Sequence, residues 1–173
     1  MPLVIDQFMC REDNFGVLVH NSATGVTLAI DAPEQAPIEA RLKANGWRLD
    51  HILITHHHLD HVEGNLGLKH AWNCTITGPK GEADRIPGID ATTGGGDRLT
   101  IGGIDIRVLD TPGHTLGHIT YWMPEAKAVF AADALFSLGC GRILEGTPEM
   151  LWSSLEAIAA LRSIVANVAS NEA

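Results

Sequence analysis

The apolar positions of this chain fall into short runs whose period changes along its length. Phe15–His20 and Val26–Ile30 are apolar and β-branched, with Asn21-Ser22 and Thr24-Gly25 between them, which predicts a β-hairpin. Pro37–Asn45 reads as a short helix, and Gly46 suits the left-handed residue that closes one. His51–Thr55 is a short apolar run of the kind buried on both faces of a sheet. A helix is expected near Gly64–Trp72, and Thr75–Thr77 is a weak strand. Arg85–Asp97 is rich in Gly, Pro and Asp and reads as loop. Ile104, Ile106 and Val108 alternate with Asp105 and Arg107, so that strand should carry one polar face. Ala128–Ala132 is a further apolar run. Thr147-Pro148 has the form of an N-cap followed by proline at the first helical position. From there Leu151, Leu155, Ile158, Leu161, Val165 and Val168 recur at helical spacing as one packing stripe. Strands followed by a strand–helix alternation place the chain in the α/β class.

Composition narrows the possibilities. A chain of 173 residues supports one domain with a real core and is too short for two large ones. With 45% hydrophobic and 19% charged residues, disorder is not the expectation. The apolar runs are too short and interrupted for a transmembrane helix. Met1–Asp6 lacks the basic region and long apolar stretch of a signal peptide. Cys10, Cys74 and Cys140 are odd in number and far apart, which argues against a disulfide framework and for a reducing cytoplasm. The net charge of -9 disfavours nucleic acid, whose phosphates would be repelled. The expectation is a cytoplasmic monomer with neither nucleic acid nor membrane as partner.

The candidate chemistry is concentrated in Thr55-His56-His57-His58-Leu59-Asp60-His61, directly after a predicted buried strand. Imidazole and carboxylate are the ordinary ligands of zinc and related divalent ions. In extended chain His56 and His58 point to one side and His57 to the other, so His57 is left out of the site. A turn after Leu59 would bring Asp60 and His61 to a second, neighbouring position. His114 lies just past the strand carrying Val108, and Asp133 just past Ala128–Ala132. Three strands thus end in possible ligands, where sites in α/β folds collect. Singly, each residue has a plainer reading: His20, His51 and His70 are structural or exposed, and an aspartate commonly follows a strand. His118 stands open between a structural histidine and one that orients a ligand by a hydrogen bond.

The HxHxDH pattern, followed by Thr111-Pro112-Gly113-His114-Thr115 and an aspartate after an apolar strand, resembles the metallo-β-lactamase superfamily. Gly139-Cys140-Gly141-Arg142 followed by Glu145-Gly146-Thr147 is similar to the signature of glyoxalase II, the hydroxyacylglutathione hydrolases. The resemblance runs from about Phe8 to about Leu161. It implies a four-layer αββα sandwich, incomplete at the C-terminus, with residues 1–173 as its catalytic domain. It implies His56, His58 and His114 as ligands of a first metal, Asp60 and His61 as ligands of a second, and Asp133 as the bridging carboxylate. Arg142 corresponds to the basic residue that contacts glutathione, and Asp60 could also orient the attacking water. The implied cofactor is a pair of zinc ions, with iron or manganese as alternatives. The implied reaction is hydrolysis of a small glutathione thioester, S-D-lactoylglutathione, to D-lactate and glutathione.

The chain departs from that family after its last histidine, His118. Glyoxalase II has a further ligand histidine in a segment like CGHEYT and then a helical glutathione-binding domain; neither is found before Ala173. A truncated or frame-shifted product, or a branch that dispenses with both, would each account for this. The alternatives to a thioesterase are another superfamily enzyme, such as a persulfide dioxygenase using His56, His58 and His114, a lactonase or a β-lactamase, or a metal-binding remnant without turnover.

Overall fold

The computed structural model describes residues 3–161 and, as backbone alone, residues 166 and 167. Its first sheet holds β1 (Leu3–Cys10), β2 (Asn14–Asn21), β3 (Thr27–Ile30), β4 (His51–Leu53), β5 (Thr75–Pro79) and β6 (Ala91–Thr93), in that order. The β1–β3 strands are antiparallel and the β3–β6 strands parallel. The second sheet holds β7 (Arg98–Ile101), β8 (Ile104–Asp110), β9 (Ile119–Met123), β10 (Ala128–Phe130) and β11 (Ala166–Asn167); β7 to β10 form an antiparallel meander, and β11 lies parallel beside β10. Helices α1 (Gln35–Asn45), α2 (Leu59–Val62) and α3 (Asn65–Trp72) belong to the crossovers that parallel strands require, and α4 (Pro148–Ala159) follows β10.

The period of two sorts the sheet residues into layers. In the first sheet Leu18, Ala29, Ile52 and Ile54 face Ile38 and Leu42 of α1 and Leu68 of α3. The alternate residues Val17, Val19, Leu28, Ile30 and Leu53 face Ile104, Ile106, Val108, Tyr121 and Phe130 of the second sheet. On that sheet's far side Val129 and Ala131 pack with Ile158 of α4. The result is the expected helix–sheet–sheet–helix sandwich.

The local signals hold where they were specific. Asn21 and Val26 close the β2–β3 hairpin through a 2.9 Å backbone bond. Gly46 ends α1 at φ 68°, and its N–H reaches the carbonyls of Leu42 and Lys43. Thr147 Oγ1 caps α4 by accepting from the N–H of Met150. Two expectations are corrected. The stretch 85–97 is not all loop: Asp90 exchanges hydrogen bonds with Ile76 and pairs with Lys69, and this anchorage sets β6 against β5. The final apolar stripe is not one helix either, since α4 stops at Ala159 and Ala166–Asn167 is a strand. Val165 and Val168 lie outside the described residues.

Candidate metal centre

The sequence places three strand ends on one edge of the sandwich. Beyond β4, Thr55 joins the sheets: its carbonyl accepts from the N–H of Ile119, while Ile54 accepts from the buried Tyr121 hydroxyl. His58, at the end of this stretch, is extended at φ -60° and ψ 147°. The single turn of α2 then swings Asp60 and His61 back toward His56, as the spacing predicts. His114 stands in the loop after β8, whose ends are tied by the N–H of Thr111 and the carbonyl of His118. Asp133 stands in the short turn Ala132–Ala134 after β10.

The side chains converge. His58 Nδ1 lies 3.1 Å from His56 Nε2 and 2.9 Å from His114 Nε2. His61 Nε2 lies 3.1 Å from Asp133 Oδ1 and 3.4 Å from Asp60 Oδ2. Asp133 also reaches His114 Nε2, at 3.2 Å, so its two oxygens face both groups. His56, His58 and His114 present ligand atoms within 4.8 Å of one another, and so do His56, His61 and Asp133. All the sequence-selected ligands are thus brought together, with Asp60 at the edge and its side chain 37% exposed.

Hydrogen bonds on the outer side of each ring set the tautomers. Thr55 Oγ1 donates to Asp31 and therefore accepts from His56 Nδ1–H, at 3.1 Å. His114 Nδ1–H donates to the carbonyl of Arg142 at 2.6 Å. His61 Nδ1–H donates to Asp31 Oδ2 at 2.8 Å. Each ring therefore turns its Nε2 inward. The buried His61 Nε2 faces the carboxylate oxygens of Asp133 and Asp60. Imidazole nitrogens and carboxylates converging in a buried corner need a positive charge among them, and their spacing fits a divalent metal.

The electrostatics agree. Burial pushes His56 well below the ordinary histidine range, helped by the charges of the neighbouring histidines, and burial likewise lowers His58. Both therefore stay neutral and ligand-competent. Burial opposes a charge on His61, but Asp31, Asp133 and Asp60 outweigh it and raise His61 well above the usual range. In a metal-free chain a proton on His61 supplies the positive charge this corner demands. Burial would raise Asp133, yet the hydrogen bond and charge of His61 hold it far below a normal carboxylate. Asp60 is lowered by its hydrogen bond to His61 against the opposing effect of burial.

The remaining expectations resolve as follows. His57 turns away from the inward nitrogens and binds Glu82 Oε2 at 2.7 Å. With His58 and Glu145 it forms a third metal-spaced group, but Glu145 is already engaged by Arg85 and the N–H of Leu116. Arg142 is exposed, and it is its carbonyl that serves the site, by holding His114. The Gly139–Gly146 loop docks on the His114 loop through the N–H groups of Leu144, Glu145 and Gly146. Gly141 is required there, since a Cβ would stand 2.4 Å from the carbonyl oxygen of Asp133.

Two buried acids escaped the sequence reading. Asp31, at φ 57°, accepts from the N–H and hydroxyl of Thr55 and from His61. It directly follows β3, so the strand-end rule that selected His114 and Asp133 would have found it. Glu82 lies far in sequence from its partners and carried no local signal. Among the described residues the His118 ring shares a hydrogen bond with Thr111 Oγ1 alone, and it packs 5.0 Å from the His56 ring, so it supports that ring by contact and not by a bond to a ligand.

Fold and site together give a two-sheet sandwich that carries, at one edge, a histidine and carboxylate cluster capable of binding metal. The description of the metallo-beta-lactamase superfamily matches residues 24–167, and the chain belongs to that superfamily. It is 54% identical over 159 residues to hydroxyacylglutathione hydrolase from Rhizobium meliloti (strain 1021), covering 92% of this chain and 62% of that protein. The same identity over 159 residues relates it to hydroxyacylglutathione hydrolase from Brucella anthropi, with 92% and 61% covered. The chain thus spans about three fifths of the length of these curated relatives. Among solved structures, ETHE1 from Myxococcus xanthus superposes with a TM-score of 0.85 at 24% identity, over 98% of this chain and 76% of the other. The BLEG-1 B3 metallo-beta-lactamase gives a TM-score of 0.85 at 19% identity, over 98% and 92%. These likenesses bear on the fold alone.

Proposed function

We propose that residues 1–173 form the catalytic domain of a glyoxalase II-type thioester hydrolase. Its substrates are S-(2-hydroxyacyl)glutathiones, S-D-lactoylglutathione foremost, and its products a 2-hydroxy acid and glutathione. One observation carries this reading: the Gly139–Gly146 loop, whose signature resembles hydroxyacylglutathione hydrolases, is the element that holds His114 in the metal centre. The identity to curated enzymes of that name supports it.

In this reading His56, His58 and His114 hold one ion, Asp60 and His61 a second, and Asp133 faces both. Zinc suits this nitrogen and carboxylate set, with iron or manganese as alternatives. A divalent ion there lowers the pKa of a coordinated water toward neutrality and polarises a carbonyl. The chain's own contribution is orientation. Asp60, half in solvent and held by Asn14, offers a carboxylate oxygen to position the attacking water. Water adds to the thioester carbon, the C–S bond breaks, and the glutathione sulfur leaves with a proton. The Arg142 guanidinium, exposed beside this loop, is the group available to pair with a glutathione carboxylate; such charge-assisted bonds contribute about 1.5–3 kcal/mol. The reading is of a cytoplasmic monomer acting on a small molecule, and its three free cysteines suit that compartment.

The test is product analysis of the metal-loaded protein with S-D-lactoylglutathione. Equimolar D-lactate and free thiol are expected. Oxygen consumption with glutathione persulfide and no thioester cleavage would overturn the reading.

A further inference from the structure

Glu82 is nearly fully buried, at 4% exposure, in the short turn that follows β5. A carboxylate at such a depth has to be saturated with donors. Among the described residues its donors come from the two loops that carry the triad His56, His58 and His114. From the first loop, Oε2 accepts from the His57 backbone N–H at 2.8 Å and lies 2.7 Å from His57 Nδ1. From the second, Oε1 accepts from Thr115 Oγ1 at 2.5 Å and from the Gly117 N–H at 2.9 Å. One oxygen thus serves each loop. The fit is tight, because a Cβ on Gly117 would stand 2.5 Å from Glu82 Cγ. His57 lies between His56 and His58, and Thr115 directly follows His114.

We propose that Glu82 is a positioning residue: it clamps the two loops at a fixed separation and so sets the spacing of His56 and His58 from His114. His57, which the extended backbone turns away from the triad, is the latch on one side of the clamp, and Thr115 is the latch on the other. The inference rests on the metal-binding reading of the triad and is independent of which substrate is cleaved. It also gives the Lys80–Arg85 turn a role that neither its composition nor its distance in sequence revealed.

The experiment is cobalt(II) titration of the metal-free protein, followed by visible absorption, on wild type, Glu82→Gln, Thr115→Val and Thr115→Ser. The amide of Glu82→Gln keeps the shape but presents N–H to one loop's donors. Outer hydrogen-bond partners of metal ligands are typically worth about 10–100-fold in affinity. Glu82 and Thr115 act one step further out, on the neighbours of the ligands, so Glu82→Gln and Thr115→Val are expected to weaken the tighter cobalt site by about 10-fold, the lower end of that range, and to alter its absorption band. Thr115→Ser, which keeps the hydroxyl, should restore both. Unchanged affinity and spectrum in Glu82→Gln and Thr115→Val, with only a lower melting temperature, would reduce Glu82 to a structural residue and overturn the proposal. Should Glu82→Gln fail to fold, the Thr115 pair decides alone. Native cobalt binding by wild type without thioester cleavage would sink the proposed activity and leave the clamp standing.

Discussion

The two halves of the metal centre are built on opposite electrostatic plans. In the half made by His56, His58 and His114, a hydroxyl and a backbone carbonyl steady the His56 and His114 rings from outside, and burial keeps His56 and His58 uncharged. The half made by Asp60, His61 and Asp133 is charged: Asp31 backs His61 from outside, and two carboxylates face it from inside. A neutral nitrogen cage gains its stability from a cation's coordination bonds. A charged corner needs positive charge from some source, whether metal or proton, or it destabilises the fold. The comparison teaches that loss of metal should be felt differently on the two sides.

The largest effect is expected for His58→Ala, which removes the ring whose Nδ1 faces both other triad nitrogens. Retention of the tighter metal and thioester hydrolysis should both be abolished, as read by metal analysis after dialysis and by product assay. Persistence of a full complement of metal would show that the triad is not the tighter half. Next comes Asp31→Ala, which breaks a buried pair with His61 and strips two hydrogen bonds from Thr55. Breaking such a pair costs about 3–5 kcal/mol, so chemical denaturation of the metal-free variant should show a loss of that order, and a loss near zero would refute the charged-corner account.

A smaller effect concerns acid. Burial holds His118 down at about 3, against an ordinary 6.5. Because the folded value is the lower one, the unfolded chain takes up the proton first as pH falls. The contribution is therefore level above pH 6.5 and is lost progressively from there toward pH 3. His118→Asn should flatten the acid limb of the metal-free protein's stability curve, with the two proteins converging in slope near neutrality. An unchanged acid limb would mean that His118 does not titrate as its burial demands. The smallest effect is expected for His57→Ala. Glu82 keeps its bond to the backbone N–H of residue 57, so metal retention should fall far less than in His58→Ala. Equal losses in the two variants would break the distinction between ring and latch.

Much of the site was legible because its signals are local. The alternation of extended chain separates His56 and His58 from His57, and one turn of helix is enough to return Asp60 and His61. The positions of His114 and Asp133 followed from strand ends alone. What escaped was whatever depends on the fold closing. Glu82 is an ordinary acid in sequence, and only the closed fold shows it buried under a histidine and a hydroxyl, whereas Asp31 sits at a strand end where the same rule could have found it. The edge strand β1 was missed because its exposed and half-buried residues, such as Val4, Asp6 and Gln7, blur the apolar run. The late apolar stripe misled in the other direction: helical spacing continued past Ala159 although helix α4 did not. Spacing alone does not say where packing stops supporting a helix.

The most direct test of two unequal halves is calorimetric titration of zinc into the metal-free protein. The described residues offer His56, His58 and His114 to one half and His61 with the carboxylates of Asp60 and Asp133 to the other, with His56 in reach of both. Two binding events are expected, the tighter one absent from His58→Ala and the weaker one retained. Two equivalents of equal affinity in wild type, or a His58→Ala variant that keeps the tighter event, would contradict the account.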